Sequence, residues 1–264
     1  MGKIRISHYS IHLEQYGLRA DRPFSVAVLA DLHNRVYHSD IEKLTDVIRQ
    51  TGCELILSAG DLVVMKAGRF ATDQALELIE RLAGECPVYL ANGNHETRMH
   101  RLFPEEYFRY TQRLRALGVV NLVNEARVAE VASLRLNIAG LELERRFFKH
   151  PRGVMLDPAS ITQKVGERQE NAFNILLAHH PRYFSSYAQW GADLTLAGHL
   201  HGGIVRLPLL GGVISPDPCL FPKYDHGRYT IGRSAMIVSA GLGTHTINLR
   251  FNNPAELVVL DFRQ

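Results

Sequence analysis

The sequence predicts an α/β fold. Continuous apolar runs stop abruptly at polar, often glycine-bearing turns, which marks strands buried on both faces. Three such runs are each followed by a helix with one apolar face. Strand–loop–helix units in succession imply parallel strands joined by right-handed crossovers. In sheets of that kind, ligands bind beyond the carboxyl ends of the strands.

In chain order, Ile4, Ile6 and His8, then Ile11 and Leu13, alternate as an opening edge strand or hairpin would. Phe24 to Ala30 is the first buried strand, and it stops at Asp31-Leu32-His33-Asn34. Ser39-Asp40-Ile41-Glu42 reads as a capping box with Ser39 as N-cap, opening a helix that carries Ile41, Leu44, Val47 and Ile48 and ends at Gly52. Leu55 to Ser58 is a second buried strand, ending in Ala59-Gly60-Asp61, and a helix over 72–83 follows. Val88 to Ala91 is the third, emptying into a polar loop, Asn92-Gly93-Asn94-His95-Glu96, before a helix over 104–117 with proline in its first turn. From Val119 the strands shorten, at 119–123, 127–131 and 134–141. A basic segment follows with Arg145, Arg146, Lys149, His150, Arg152 and Lys164, read as a loop plus a short helix. Buried strands return at 174–178, ending in His179-His180-Pro181, and at 193–197, ending in Gly198-His199-Leu200-His201. Residues 206–228, rich in Pro and Gly, suggest a long structured loop, and 233–239, 246–249 and 257–262 are closing strands. No repeat or linker interrupts the chain, so residues 1–264 are expected to form one domain.

Composition narrows the function classes. Hydrophobic residues are 46% and charged residues 22%, ordinary for a globular protein. A net charge of only +3 argues against a nucleic-acid binder, as does the lack of a basic stripe with interleaved aromatics. Cys53, Cys86 and Cys219 form no CxxC pair and are expected to be buried thiols in a reducing compartment. The opening residues carry no apolar h-region and no run reaches the length of a membrane-spanning helix. A cytoplasmic location is expected, with peripheral membrane contact allowed. There is no G-x-S-x-G elbow and no P-loop, which removes serine hydrolases and P-loop nucleotide binding.

Five strand ends carry the same kinds of side chain: Asp31 and His33; Asp61; Asn94 and His95; His179; His199 and His201. Any one block alone reads equally well as a solvated turn. Together, at successive strand ends, they make a metal site at the C-terminal rim. Carboxylate, carboxamide and imidazole donors suit Mn, Fe, Zn or Co. That many donors are too many for one ion but fit two ions sharing a carboxylate. With only Asp31 and Asp61 anionic, such a site stays net positive, acidifies a bound water to hydroxide and attracts a phosphate oxyanion. The expected chemistry is in-line attack on phosphorus with ions roughly 3.5–4 Å apart.

These blocks resemble the calcineurin-like metallophosphoesterases, whose pattern is D-x-H, G-D, G-N-H-[DE], H and G-H-x-H. Here it reads Asp31-Leu32-His33, Gly60-Asp61, Gly93-Asn94-His95-Glu96, His179 and Gly198-His199-Leu200-His201, over about residues 24–203. The resemblance implies a four-layer αββα sandwich, two mixed sheets face to face with helices outside. It also implies one ion held by Asp31, His33 and His201, a second held by Asn94, His179 and His199, and Asp61 bridging both. His95 would then face the substrate, stabilising phosphoryl charge or protonating the leaving oxygen. Glu96 would support its neighbours without touching metal. Further blocks resemble the bacterial YkuE/YaeI-type branch, phosphodiesterases or lipid-associated pyrophosphatases often tethered to a membrane or exported. They are His201-Gly202-Gly203 with Arg206-Leu207-Pro208, and the tail Gly241-Leu242-Gly243-Thr244 with Leu249-Arg250-Phe251 and Pro254-Ala255-Glu256-Leu257. The sequence departs from that branch in carrying Ile204 where glutamine is usual, and no anchor or signal is expected from its opening residues.

The implied substrate is a small-molecule or lipid-linked phosphodiester or pyrophosphate. A nuclease and a non-catalytic scaffold are the alternatives. Among lesser signals, Asn34 reads as a turn former or a substrate donor, and His180 is expected to point to the other face. Arg98, His100 and Arg101 read as a solvated helix start. The 145–152 basic segment reads as a solvated loop or, alternatively, as a recogniser of diphosphate or anionic lipid. His245 is left without a role.

Overall fold

The computed structural model describes residues 4–36, 40–66, 68–149, 154–203, 205–207, 211–214, 221–243 and 250–264. The first half of the chain runs β1 (Arg5–His12), β2 (Phe24–Leu29), α1 (Ile41–Gln50), β3 (Leu55–Ser58), β4 (Val64–Lys66), β5 (Arg69–Ala71), α2 (Asp73–Ala83), β6 (Val88–Ala91), α3 (Asn94–Leu102), α4 (Pro104–Ala116) and β7 (Val120–Leu122). The second half begins with β8 (Glu125–Val131), β9 (Leu134–Leu141), α5 (Arg146–Lys149), α6 (Pro158–Val165), β10 (Phe173–Ala178), α7 (Phe184–Trp190) and β11 (Leu194–Ala197). It closes with β12 (Val205–Leu207), β13 (Gly211–Ile214), β14 (Gly227–Ile231), β15 (Ser234–Val238) and β16 (Glu256–Arg263).

Two six-stranded sheets result, ordered β1-β16-β2-β3-β6-β7 and β14-β15-β11-β10-β9-β8. Both are mixed. β2, β3, β6 and β7 run parallel, as do β9, β10, β11 and β15, with antiparallel partners at β16, β14 and β8. The period-two alternation of each strand decides the layers. Val26, Val28, Leu55 and Leu57 face Ile138, Ile175, Leu177 and Leu196 in the core between the sheets. Their neighbours Ala27, Leu29 and Ile56 pack outward on Leu44, Ile48, Leu78 and Leu82 of α1 and α2. Leu176, Ala178 and Val238 pack outward on Ile161, Phe184 and Trp190 of α6 and α7. The protein is a four-layer αββα sandwich.

Several local expectations shift. The N-cap of α1 is Asp40, whose side chain accepts from Lys43 N at 2.7 Å; Ser39 lies outside the described residues. β1 pairs in parallel with β16 at the sheet edge and forms no hairpin. The polar loop after β6 is only Asn92-Gly93, because α3 begins at Asn94. The hairpin β4–β5 was not legible in a stretch with no turn dipeptide. In the Pro/Gly-rich stretch, β12 and β13 pair and β14 joins a sheet. The expected strand over 246–249, together with Cys219, lies outside the described residues. Cys53 and Cys86 are free thiols and only half-buried, at the entries of β3 and β6, away from the rim that carries the motifs. No helix among the described residues is long and apolar enough to cross a membrane.

Candidate metal centre

The chain leaves the rim of each sheet by turning sharply. Asp31 (φ 50°), His33 (49°), Asp61 (55°), His199 (70°) and His201 (52°) all sit in the left-handed region. For residues with a Cβ this conformation costs roughly 1–3 kcal/mol and survives only where neighbours fix it. The neighbours are identifiable. Asp31 N donates to Gly60 O at 3.0 Å, His33 N to Asp61 O at 3.0 Å and Asn34 N to Leu62 O at 2.7 Å, so the loops after β2 and β3 are zipped together. Glu96 clamps the same loops from α3: one oxygen accepts from Asp61 N and Gly93 N, both at 2.9 Å, and the other from Val63 N at 3.0 Å. Close approach explains two glycines. A Cβ at Gly93 would run into the Asp61 carboxylate, and one at Gly198 into that of Asp31.

These turns gather two donor clusters, each with ligand atoms mutually within 4.8 Å: Asp31, His33 and His201, and Asp61, His179 and His199. In the first, the Nε2 atoms of His33 and His201 are 2.9 Å apart, and Asp31 Oδ1 lies 3.4 Å from His201 Nε2 and 3.8 Å from His33 Nε2. In the second, His179 Nε2 is 3.1 Å from Asp61 Oδ2, with Asp31 Oδ1 at 3.7 Å, so the clusters adjoin. Ala59 O, at 2.9 Å, can only accept, so Nδ1 of His179 carries a proton. Burial disfavours a charged imidazole here, but Asp61 and Asp31 beside it raise its pKa to about 10, so Nε2 holds a proton that a bound cation would displace. Asn94, the first residue of α3, has a buried Oδ1 with no hydrogen-bond partner among the described residues. An orphaned buried oxygen costs about 1–3 kcal/mol, and a cation would satisfy it. Together with the oxygen and imidazole donor set, this fits hard-to-borderline divalent ions.

His95 falls within reach of His33 and Asp61 as a third possible donor group. Its hydrogen bonding argues otherwise. Met65 N donates to its Nδ1 at 3.0 Å, so Nε2 carries the proton and faces the centre as a donor, 4.0 Å from Asp61 Oδ2. Burial holds the imidazole below its ordinary pKa and therefore neutral. Of the two buried carboxylates, Asp31 is raised to about 6 by burial and by the charge of Asp61. Burial pushes Asp61 the same way, but the charge and hydrogen bond of His179 override it and hold Asp61 well below the usual range.

Other expectations resolve as follows. Asn34 is structural: φ is 55° and its Oδ1 accepts from Ala75 N at 3.1 Å, anchoring α2. His180, expected on the far face, instead packs on His199 with ring centroids 4.5 Å apart. Arg98, His100 and Arg101 are exposed on α3, and His100 stacks on Tyr107. Arg145, Arg146 and Lys149 are exposed, with Arg146 paired to Glu144 at 3.0 Å. His150, Arg152, Ile204 and His245 lie outside the described residues. Sequence reasoning missed three supports of the centre. Gly241 packs against Asp31 so closely that a Cβ would collide with it. Asn253 Nδ2 donates to His201 O at 2.5 Å and Gly203 O at 2.8 Å. Arg250 donates to Gly241 O at 3.1 Å and to Gly243 O. In the sequence, the tail blocks containing Gly241 and Arg250 mark a resemblance without a role, and Asn253, just beyond the second block, is unmarked.

The pattern of the calcineurin-like phosphoesterase family matches residues 24–203. Phosphodiesterase YaeI of Escherichia coli (strain K12) is 27% identical over 248 residues, covering 90% of this chain and 82% of that protein. The uncharacterized metallophosphoesterase YkuE of Bacillus subtilis (strain 168) is 24% identical over 244 residues, covering 91% of this chain and 79% of its own. In fold, the crystal structure of TT1561 of Thermus thermophilus superposes with a TM-score of 0.50 at 12% identity, covering 84% of this chain and 91% of that one.

Proposed function

The chain belongs to the calcineurin-like phosphoesterase family and is a metallophosphoesterase, and on that premise we propose that it hydrolyses a phosphodiester or pyrophosphate bond at a dinuclear centre. Asp31, His33 and His201 would hold one divalent ion and Asn94, His179 and His199 the other, with the Asp61 carboxylate available to both. The observation that supports this reading is the pair of adjoining buried clusters, together with an Asn94 Oδ1 that is buried and has no hydrogen-bond partner among the described residues. When bound, the ions would polarise a phosphoryl oxygen and acidify a water for in-line displacement at phosphorus. His95, neutral and protonated on Nε2, donates a hydrogen bond to the phosphoryl oxygen, and Met65 N fixes that tautomer. Glu96 holds the loops of Asp61 and Gly93 in register. The relative named as a phosphodiesterase supports a diester over a monoester.

The test compares Mn²⁺-loaded protein on nitrophenyl phosphate and bis(nitrophenyl) phosphate, with metal content measured alongside. Faster turnover of the diester and two ions per chain are expected. One ion per chain removes the dinuclear assignment, and preference for the monoester removes the substrate class. Absence of turnover with both ions bound would leave a scaffold.

A further inference from the structure

The wall of the centre carries an aromatic side chain that the chemistry above does not use. α5 is one helical turn at the outlet of β9, and its two adjacent phenylalanines have different tasks. Phe147 is buried and pins the turn: its ring meets that of Tyr183 edge-on at 5.3 Å, and its carbonyl accepts from the Tyr183 hydroxyl at 2.7 Å. The next residue is rotated about 100° around the helix, away from that anchor. Phe148 consequently lies along the histidine wall. Its ring centroid is 5.1 Å from that of His199 at 69°, 5.4 Å from His180 at 24°, and 6.3 Å from His179. It remains half-buried, so part of the ring stays open to solvent beside two members of the second donor cluster. Arg145 and Lys149, three residues before it and one after, are exposed cations on the same turn.

We propose that Phe148 forms an ester-group subsite, which takes an aromatic or similarly flat apolar substituent of a phosphodiester whose phosphate sits at the donor clusters. This rests on the function proposed above and names the substrate class. The physical case is one of position. A ring held by Phe147 and by histidine contacts needs little further ordering, so its open surface is preorganised for an edge-on or offset-stacked partner. A small alkyl substituent would reach the same phosphate without touching it. Exposed Arg145 and Lys149 on the same turn suit a substrate that carries negative charge next to its apolar part.

The test uses metal-loaded enzyme on two diesters with the same leaving group, bis(p-nitrophenyl) phosphate and methyl p-nitrophenyl phosphate. Wild type should favour the bis-aryl ester, and Phe148→Ala should lower the aryl-over-methyl ratio of kcat/KM by about tenfold. Phe148→Trp should restore most of that ratio. An equal fall on both esters, or a fall that tracks lost metal, would mean that Phe148 only braces the histidines and would overturn the subsite. If wild type hydrolyses neither ester, the reading of the function fails instead. The subsite is then decided by calorimetry: phenyl phosphate must bind wild type about tenfold more tightly than Phe148→Ala, and methyl phosphate must show a smaller difference. Identical phenyl phosphate affinity for the two proteins overturns it.

Discussion

The two sheets contribute unequal halves of the centre. The first sheet supplies both carboxylates, the Asn94 oxygen, the imidazole of His33 and the donor His95, from loops tied to one another by backbone hydrogen bonds. From the second come only imidazoles, His179, His199 and His201, and these lean on the first: His179 donates to Ala59 O, and the backbone N of His199 donates to both oxygens of Asp31 at 3.0 and 3.1 Å. All the fixed negative charge therefore lies on one side, where it can attract cations. The histidine side sets where those cations stand. Removing charge from the first half should empty the centre, whereas removing an imidazole from the second should cost one ion.

The largest effect is expected from Asp61→Asn. The substitution preserves shape and can still accept from His95 N, now at 2.8 Å from Asp61 Oδ1, so it isolates the charge. Turnover should fall by more than the roughly 10–100-fold typical of losing a group that merely orients a ligand, and metal content should drop at both positions. Near-normal turnover would end the bridging assignment. Next comes His179→Ala, which should leave about one ion per chain by elemental analysis. Loss of both ions would show that the two halves are one unit and that the contrast drawn between them is wrong. His95→Ala is the third step: kcat should fall about 10²–10³-fold, the usual consequence of deleting one preorganised donor, with metal content unchanged. Should the ions leave with the imidazole, His95 is a ligand despite its tautomer.

The contrast also explains what could be read from the residues alone. Apolar runs ending in Asp, Asn and His located every strand that feeds the centre, because burial on both faces leaves a run with no polar interruption. The motifs located the donors but not the path of the backbone between them. Left-handed turns at Asp31, Asp61 and His199 follow from loop-to-loop hydrogen bonds between segments far apart in the chain, which no local pattern encodes. Asn94 was assigned to a loop because asparagine and glycine signal turns, yet here the glycine precedes a helix that Glu96 closes from inside. His180 and Phe148 were misjudged or missed for another reason. Their position depends on how α5 and the second sheet pack, and a lone aromatic or histidine beside a motif carries no periodic signature.

The smallest expected effect probes a support behind the first half. Leu242 N and Gly243 N donate to Ala30 O and Asp31 O at 3.1 and 2.7 Å, so the loop after β15 backs Asp31 directly. That loop is held by Glu256, fully buried, whose oxygens accept from Ala240 N at 2.7 Å, Ser7 Oγ at 2.5 Å and Arg5 at 3.0 Å, with His226 at 2.9 Å. Burial alone would raise this carboxyl, but the hydrogen bond and charge of His226, with Ala240 N and Ser7, bring it from 4.5 down to about 2. A depressed carboxyl binds its proton more weakly folded than unfolded. Its contribution to stability is therefore complete above pH 4.5 and is lost as pH falls from 4.5 towards 2. Glu256→Gln should lower Tm at pH 7, by an amount corresponding to a few kcal/mol for a broken buried pair, and should flatten the acid limb between those two pH values. Its metal content at pH 7 should fall only slightly, because Asp31 keeps its ties to Gly60 and His199. Parallel acid limbs for the two proteins would show that Glu256 is not the group being titrated. Complete loss of metal would show instead that the carboxylate half depends on this tail as much as on its own loops.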